Sequence, residues 1–185
     1  MPASKSHVAL LRAINVGGRN KVPMAELRAL AESLGWSDVG SYIQSGNLVF
    51  RAPGRPAALA ADLQRAVQRA HGFEVPVVVR SAAQWRELVD GNPFPEASRE
   101  RPSWVLLHLS QARPSASAVD VLAAHAGPDE RIERVRDAIW IDFANGVARS
   151  KLTPARIDRA AGSATTARNW RTVVNLAEML EELPD

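Results

Sequence analysis

The sequence predicts an α+β fold of two packed ferredoxin-like lobes, βαββαβ followed by an imperfect βαββα. Three observations predict it. Residues 1–80 alternate short apolar runs of strand length with two helical periodicities in the order βαββαβ, the split βαβ arrangement. A Pro-rich polar stretch, Asn92–Ser103, interrupts the pattern. Beyond it the order βαββα points to a second copy of the topology, although no repeat is visible in the residues themselves. The expected organisation is therefore a lobe over 1–80, a helix and Pro-rich connection over 81–103, and a second α+β lobe with C-terminal helices over 104–185.

Each element has a local cause. His7–Ile14 is a short apolar run, followed by Asn15–Val22, whose two glycines and polar residues make a loop. Pro23 suits a first helical turn, and Met24, Leu27, Leu30, Ala31 and Leu34 recur at helical spacing until Gly35 stops them. Val39–Gln44 and Leu48–Arg51 flank Ser45-Gly46-Asn47 as a β-hairpin flanks its turn. Pro56–His71 is an Ala- and Leu-rich helix ended by Gly72, and Val75–Arg80 is a β-branched central strand. Ser81 can cap a helix reaching Asp90. Trp104–Leu109 then reads as a strand, Ser117–Ala126 as a helix, and Arg131–Val135 with Ala138–Phe143 as a hairpin across Arg136 and Asp137. Helices follow at Pro154–Ala161 and around Thr172–Glu182.

Composition narrows the function classes. With 46% hydrophobic and 23% charged residues, the chain is of ordinary globular type and long enough for a sizeable core. No apolar run approaches the ~18 residues a bilayer span needs. The polar start, Met1–His7, precedes only a short apolar run and lacks the long apolar region of a secretory signal, so a cytoplasmic location is expected. The absence of cysteine excludes disulfides, thiolate zinc sites and cysteine nucleophiles. The four histidines are isolated, without HxH, HExxH or paired carboxylates, and read as packing or surface residues; neither metal nor cofactor is expected.

The net charge is only +3, but it is unevenly placed. Lys5, Arg12, Arg19, Lys21 and Arg28 face a single acid, Glu26, within residues 1–30. Arg149, Lys151, Arg156, Arg159, Arg168 and Arg171 face only Asp158 within residues 145–175. Coding bias accounts for many arginines but not for their clustering, which favours an anionic partner.

Three motifs carry candidate chemistry. Asn15-Val16-Gly17-Gly18-Arg19-Asn20-Lys21 lies between a strand and a helix start, where outward-turned amides and two cations suit a phosphate or carboxylate. It matches neither a Walker A loop nor GxGxxG, and a glycine turn with solvated charges is the plainer alternative. Tyr42-Ile43-Gln44-Ser45-Gly46-Asn47 invites a nucleophile reading of Ser45. No GxSxG elbow or partner histidine supports it, and a hairpin turn explains it better. Arg149-Ser150-Lys151 and Thr165-Thr166-Ala167-Arg168-Asn169-Trp170 offer a helix cap by threonine, a bidentate oxyanion contact by Arg168 and a stacking or core indole in Trp170. A buried tryptophan with a structural arginine is the alternative.

Taken together, Val8–Gly18, Lys21-Val22-Pro23-Met24, Tyr42–Asn47, Asn92-Pro93-Phe94, Arg149-Ser150-Lys151-Leu152 and Thr166–Trp170 resemble a bacterial family known as domain of unknown function 1697. The resemblance spans nearly the whole chain and implies a two-lobed ferredoxin-like fold, with no established activity, substrate or cofactor. The family signature has glycine where Ala13 stands, and commonly Asn and Lys where Arg171 and Asn175 stand.

The expected function is a noncatalytic binder of a phosphate-bearing ligand such as a nucleotide or nucleic acid. Its candidate contacts are Arg12, Asn15, Gly17, Gly18, Arg19, Lys21, Gln44, Ser45, Asn47, Lys151, Arg168, Asn169 and Trp170, with no catalytic residue among them. An RRM-type surface is not expected, because the first strand has no aromatic and the third only Phe50. Two alternatives stay open. One is an enzyme on a small phosphorylated or carboxylated substrate, with Arg12 and Lys151 stabilising negative charge near Ser45 or Tyr42. The other is an interaction protein whose motifs only maintain the fold.

Overall fold

A computed structural model describes residues 4–184. Residues 1–3 of the polar start and residue 185 of the acidic end lie outside the described residues. The chain divides into two compact units, the first running to Glu87 and taking in the chain from Asn175 onward, the second Leu88–Val174.

The first unit has the order β1 (Lys5–Leu11), α1 (Met24–Ser33), β2 (Ser37–Tyr42), β3 (Asn47–Ala52), α2 (Pro56–His71), β4 (Val77–Ser81). Its sheet order is β2-β3-β1-β4, with neighbours antiparallel, so the βαβ crossover through α1 leaves room for β3 between β1 and β2. α1 starts after Pro23 and turns Met24, Leu27 and Ala31 inward. α2 starts on Pro56, presents Leu59, Leu63 and Val67, and ends where Gly72 N donates to Gln68 O (2.9 Å). These residues cover one face of the sheet and form a core with Ala9, Leu11, Leu48, Phe50, Val77 and Val79. Trp36 stacks on Phe50 within that core at 3.9 Å between ring centroids. Phe50 is thus buried, as a strand aromatic displayed for RNA would not be.

α3 (Ala82–Asp90) opens on a capping box. Ser81 Oγ accepts from Gln84 N (3.3 Å), and Gln84 Oε1 accepts from Ser81 N (2.9 Å). The Pro-rich stretch expected as loop contains a further helix, α4 (Pro95–Glu100). Pro95 pre-sets its first turn, Asn92 Oδ1 accepts from Phe94 N (2.9 Å), and Phe94 and Ala97 are buried.

The second unit continues with β5 (Val105–Ser110), α5 (Ala118–Ala123), β6 (Arg131–Val135), β7 (Ala138–Asp142), a 3-10 turn (Val147–Arg149), α6 (Pro154–Ala161), β8 (Thr165–Asn169) and the start of α7 (Trp170–Glu181), which belongs to the first unit from Asn175 onward. Its sheet order, β6-β7-β5-β8, repeats that of the first unit. The fold class is the expected one, and the second lobe is fuller than the imperfect βαββα. Thr165–Asn169, read from sequence as a helix entrance, is the sixth element, paired with β5 from Ser110↔Thr165 to Leu106↔Asn169. The expected threonine cap is accordingly replaced. Thr165 N and Oγ1 both donate to Asp158 Oδ1 (2.8 and 2.9 Å), fixing the α6–β8 junction, while Asn169 Oδ1 caps α7 by accepting from Thr172 N (3.0 Å). Ala118, Leu122, Ile139, Ile141, Phe143, Leu152 and Ile157 form the core under α5 and α6.

At the end of the inner strand β7 a buried carboxylate joins two arginines. Asp142, fully buried, accepts from Arg101 Nη2 (2.7 Å) and Arg131 Nη2 (2.8 Å), and the Arg131 guanidinium lies 4.7 Å over the Phe94 ring. Burial alone would raise the Asp142 carboxyl, but the two hydrogen bonds and the charges behind them hold it below the usual range. Among the described residues no helix is long and apolar enough to cross a membrane.

Candidate functional site

The expected site residues fall into two groups, one in each unit. In the first unit, the β1–α1 loop and the β2–β3 turn are held together by asparagines. Asn15 Nδ2 donates to Val22 O (2.9 Å) and to Gln44 O (2.8 Å), and its Oδ1 accepts from Val22 N (2.9 Å). One side chain therefore closes its own loop and ties that loop to the hairpin. Asn20 Nδ2 reaches back to Ala13 O (3.3 Å), and Asn15 N donates to Asn20 O (3.1 Å). Across the turn, Asn47 Nδ2 donates to Tyr42 O and to Ser45 Oγ (both 2.9 Å). Ser45 Oγ is thus part of a turn network, as in a hairpin.

The loop's backbone is unusual. Ala13 (φ 51°), Asn15 (57°), Gly17 (59°), Gly18 (75°) and Asn20 (48°) all occupy the left-handed region, as does Ile43 (51°) in the facing turn. Asparagine tolerates this conformation; alanine and isoleucine pay for it in strain. At Gly46 a side chain is excluded by space as well, since an added Cβ would lie 2.7 Å from Ile14 Cδ1 and 2.9 Å from Leu11 Cβ. The hairpin turn can therefore close on the β1 end only with glycine there, and Leu11 N donates to Gly46 O (2.8 Å).

Above this framework, Gly17, Gly18, Arg19 and Lys21 are exposed and Arg12 is half-buried. Arg19 and Lys21 make no ion pair among the described residues. Arg28, also in the basic N-terminal segment, is engaged with Ser41 Oγ (2.7 Å). Arg12, Gly17, Gly18, Arg19, Lys21, Gln44, Ser45 and the pinning residues Asn15 and Asn47 thus share one loop pair.

In the second unit, Arg168 is buried and donates to Thr166 Oγ1 (2.9 Å) and Ala167 O (2.7 Å). Burial brings its guanidinium down to about 10, which leaves it charged at neutral pH. Asn169 is the α7 cap described above, and the Trp170 ring packs against Trp140 at 5.8 Å. Lys151 is exposed and, with Arg149, lines an open cavity of about 580 Å³. The walls of that cavity include His125, Asp129, Glu130 and Asn145, which sequence reasoning did not select. The acids lie in Gly127-Pro128-Asp129-Glu130, a turn sequence with no motif of its own, and only the fold brings it beside Arg149-Ser150-Lys151. Among the described residues no group of three or more His, Asp or Glu is placed to hold a metal ion.

The model of a family described as "Protein of unknown function (DUF1697)" matches residues 4–140. Comparison with curated proteins gives no match. Among solved structures the chain is similar to the conserved bacterial protein SP0830 from Streptococcus pneumoniae, with 24% identity over 97% of this chain and 100% of that one, at a TM-score of 0.77. That likeness concerns the fold.

Proposed function

Because the chain belongs to the DUF1697 family of proteins of unknown function, we propose its role from the loop itself: it binds a phosphate-bearing ligand, a nucleotide or nucleic acid. The observation that carries this reading is the pinned β1–α1 loop, whose Asn15 clasp holds Gly17 and Gly18 in consecutive left-handed conformations beside exposed Arg19 and Lys21. Arg19 N closes this turn on Val16 O (3.1 Å), which leaves the successive Gly17 and Gly18 amides for an oxyanion, and the two cations add charge-assisted contacts. Asn15 and Asn47 serve by position, because their amide hydrogens already bond to the protein. The motif supplies anion-holding groups and no evident proton carrier, so binding without chemistry is the reading adopted.

The test is fluorescence anisotropy with a labelled single-stranded oligonucleotide, alongside thermal shift with mononucleotides. If Arg12, Arg19 and Lys21 each neutralise one phosphate, affinity for the single-stranded oligonucleotide should fall about 20-fold between 50 and 200 mM salt. The Arg19→Ala/Lys21→Ala double variant should flatten that dependence to about one charge. Salt-independent binding, or an unchanged slope in the double variant, contradicts the reading.

A further inference from the structure

We propose that the cavity of the second unit is a separate binding site for a small phosphorylated polyol, of the sugar-phosphate class. Its volume, about 580 Å³, falls within the ~300–1,000 Å³ range of small-molecule sites. Two kinds of charge line it. Arg149 and Lys151 come from the 3-10 turn and the residues after it, are exposed, and make no ion pair among the described residues. Asp129 and Glu130 come from the turn leading into β6.

The carboxylates are held in place by the protein. Asp129 Oδ2 accepts from Asn145 Nδ2 (3.1 Å), and Glu130 Oε2 accepts from Gly127 N (2.7 Å). Each retains lone pairs for further donors. Ser150 Oγ accepts from Leu152 N (2.9 Å) and so shapes the turn that carries the two cations.

A simple oxyanion would meet the two acids, and a simple cation would meet the two bases. A ligand with a phosphate at one end and hydroxyls at the other answers both. The phosphate, carrying about −1.5 to −2 at neutral pH, matches two cations better than a single carboxylate would. Neutral hydroxyls donate to fixed carboxylates without adding charge, and His125 and Asn145 supply further polar contacts at the wall. This site is lined by residues of the second unit alone and does not rest on the reading given for the β1–α1 loop.

The deciding experiment is titration calorimetry on the full chain at low salt with ribose 5-phosphate, ribose, inorganic phosphate and glutamate. Ribose 5-phosphate should bind about tenfold or more tightly than phosphate or ribose, and glutamate should bind no better than phosphate. Lys151→Ala should weaken ribose 5-phosphate and phosphate alike, by about tenfold. Asp129→Asn, which can still accept from Asn145, should remove the advantage of ribose 5-phosphate over phosphate without weakening phosphate itself. In the Arg19→Ala/Lys21→Ala background, which removes the cations of the loop, ribose 5-phosphate should keep its advantage over phosphate and its dependence on Lys151 and Asp129. Ribose 5-phosphate binding no tighter than phosphate, glutamate binding as well as ribose 5-phosphate, or indifference to Lys151→Ala would overturn the proposal. Loss of binding in the Arg19→Ala/Lys21→Ala variant would also overturn it, by assigning the ligand to the loop.

Discussion

His108 lies on the central strand β5 with both ring nitrogens buried and unpartnered, an arrangement that makes the second unit sensitive to acid. Burial lowers its pKa from 6.5 to about 4, against a smaller upward pull from Asp158. The folded value thus lies below the unfolded one, so the unfolded chain takes up the proton first as pH falls. Nothing is lost above pH 6.5; stability declines below it and levels off for this group below about 4. At pH 4.5 the loss from this one side chain is about 2–3 kcal/mol. The perturbation is His108→Leu, which keeps an apolar side chain of similar size and removes both unpartnered nitrogens. Near pH 7.5 the variant should match the parent or exceed it by about 1 kcal/mol, because a desolvated polar group has been replaced. The gap should then widen by about 2–3 kcal/mol between pH 7.5 and 4.5, read from urea unfolding followed by near-UV circular dichroism. Since both proteins share all other titrating groups, the difference isolates this histidine. Parallel stability curves across that pH range would refute the reasoning.

Ala13→Gly should stabilise the chain by about 1 kcal/mol, because relief of the left-handed strain at φ 51° exceeds the added freedom of the unfolded chain; a lower melting temperature would count against it. Asp142→Asn should cost about 1–3 kcal/mol in urea unfolding, since the charge-assisted hydrogen bonds from Arg101 and Arg131 become weaker neutral ones.

Much of the fold was legible because its cues are local. Pro23 and Pro56 start helices whose apolar spacing marks their inner face, and Ser81 with Gln84 forms the box that sequence alone had placed in part. β8 was not legible. Thr165–Asn169 is polar, lies at the sheet edge and runs straight into α7, so its strand character comes from pairing with β5. α4 hid within a Pro-rich stretch because proline at a first turn looks like a loop until Phe94 and Ala97 are seen to be buried. The loop residues Gly17 to Lys21 were readable for being contiguous. The pinning role of Asn15 was not, since its partner Gln44 lies in a different turn. The cavity was hidden for the same reason: Asp129 and Lys151 become neighbours of one space only after β6 and β7 pair.

The most direct test of the central claim is a titration of the isotope-labelled protein with a mononucleotide and with a short oligonucleotide, following the backbone amides by two-dimensional nuclear magnetic resonance. The account predicts saturable shifts concentrated at the Gly17 and Gly18 amides, lost in Arg19→Ala/Lys21→Ala. Shifts absent from those amides, while binding elsewhere persists, would contradict it.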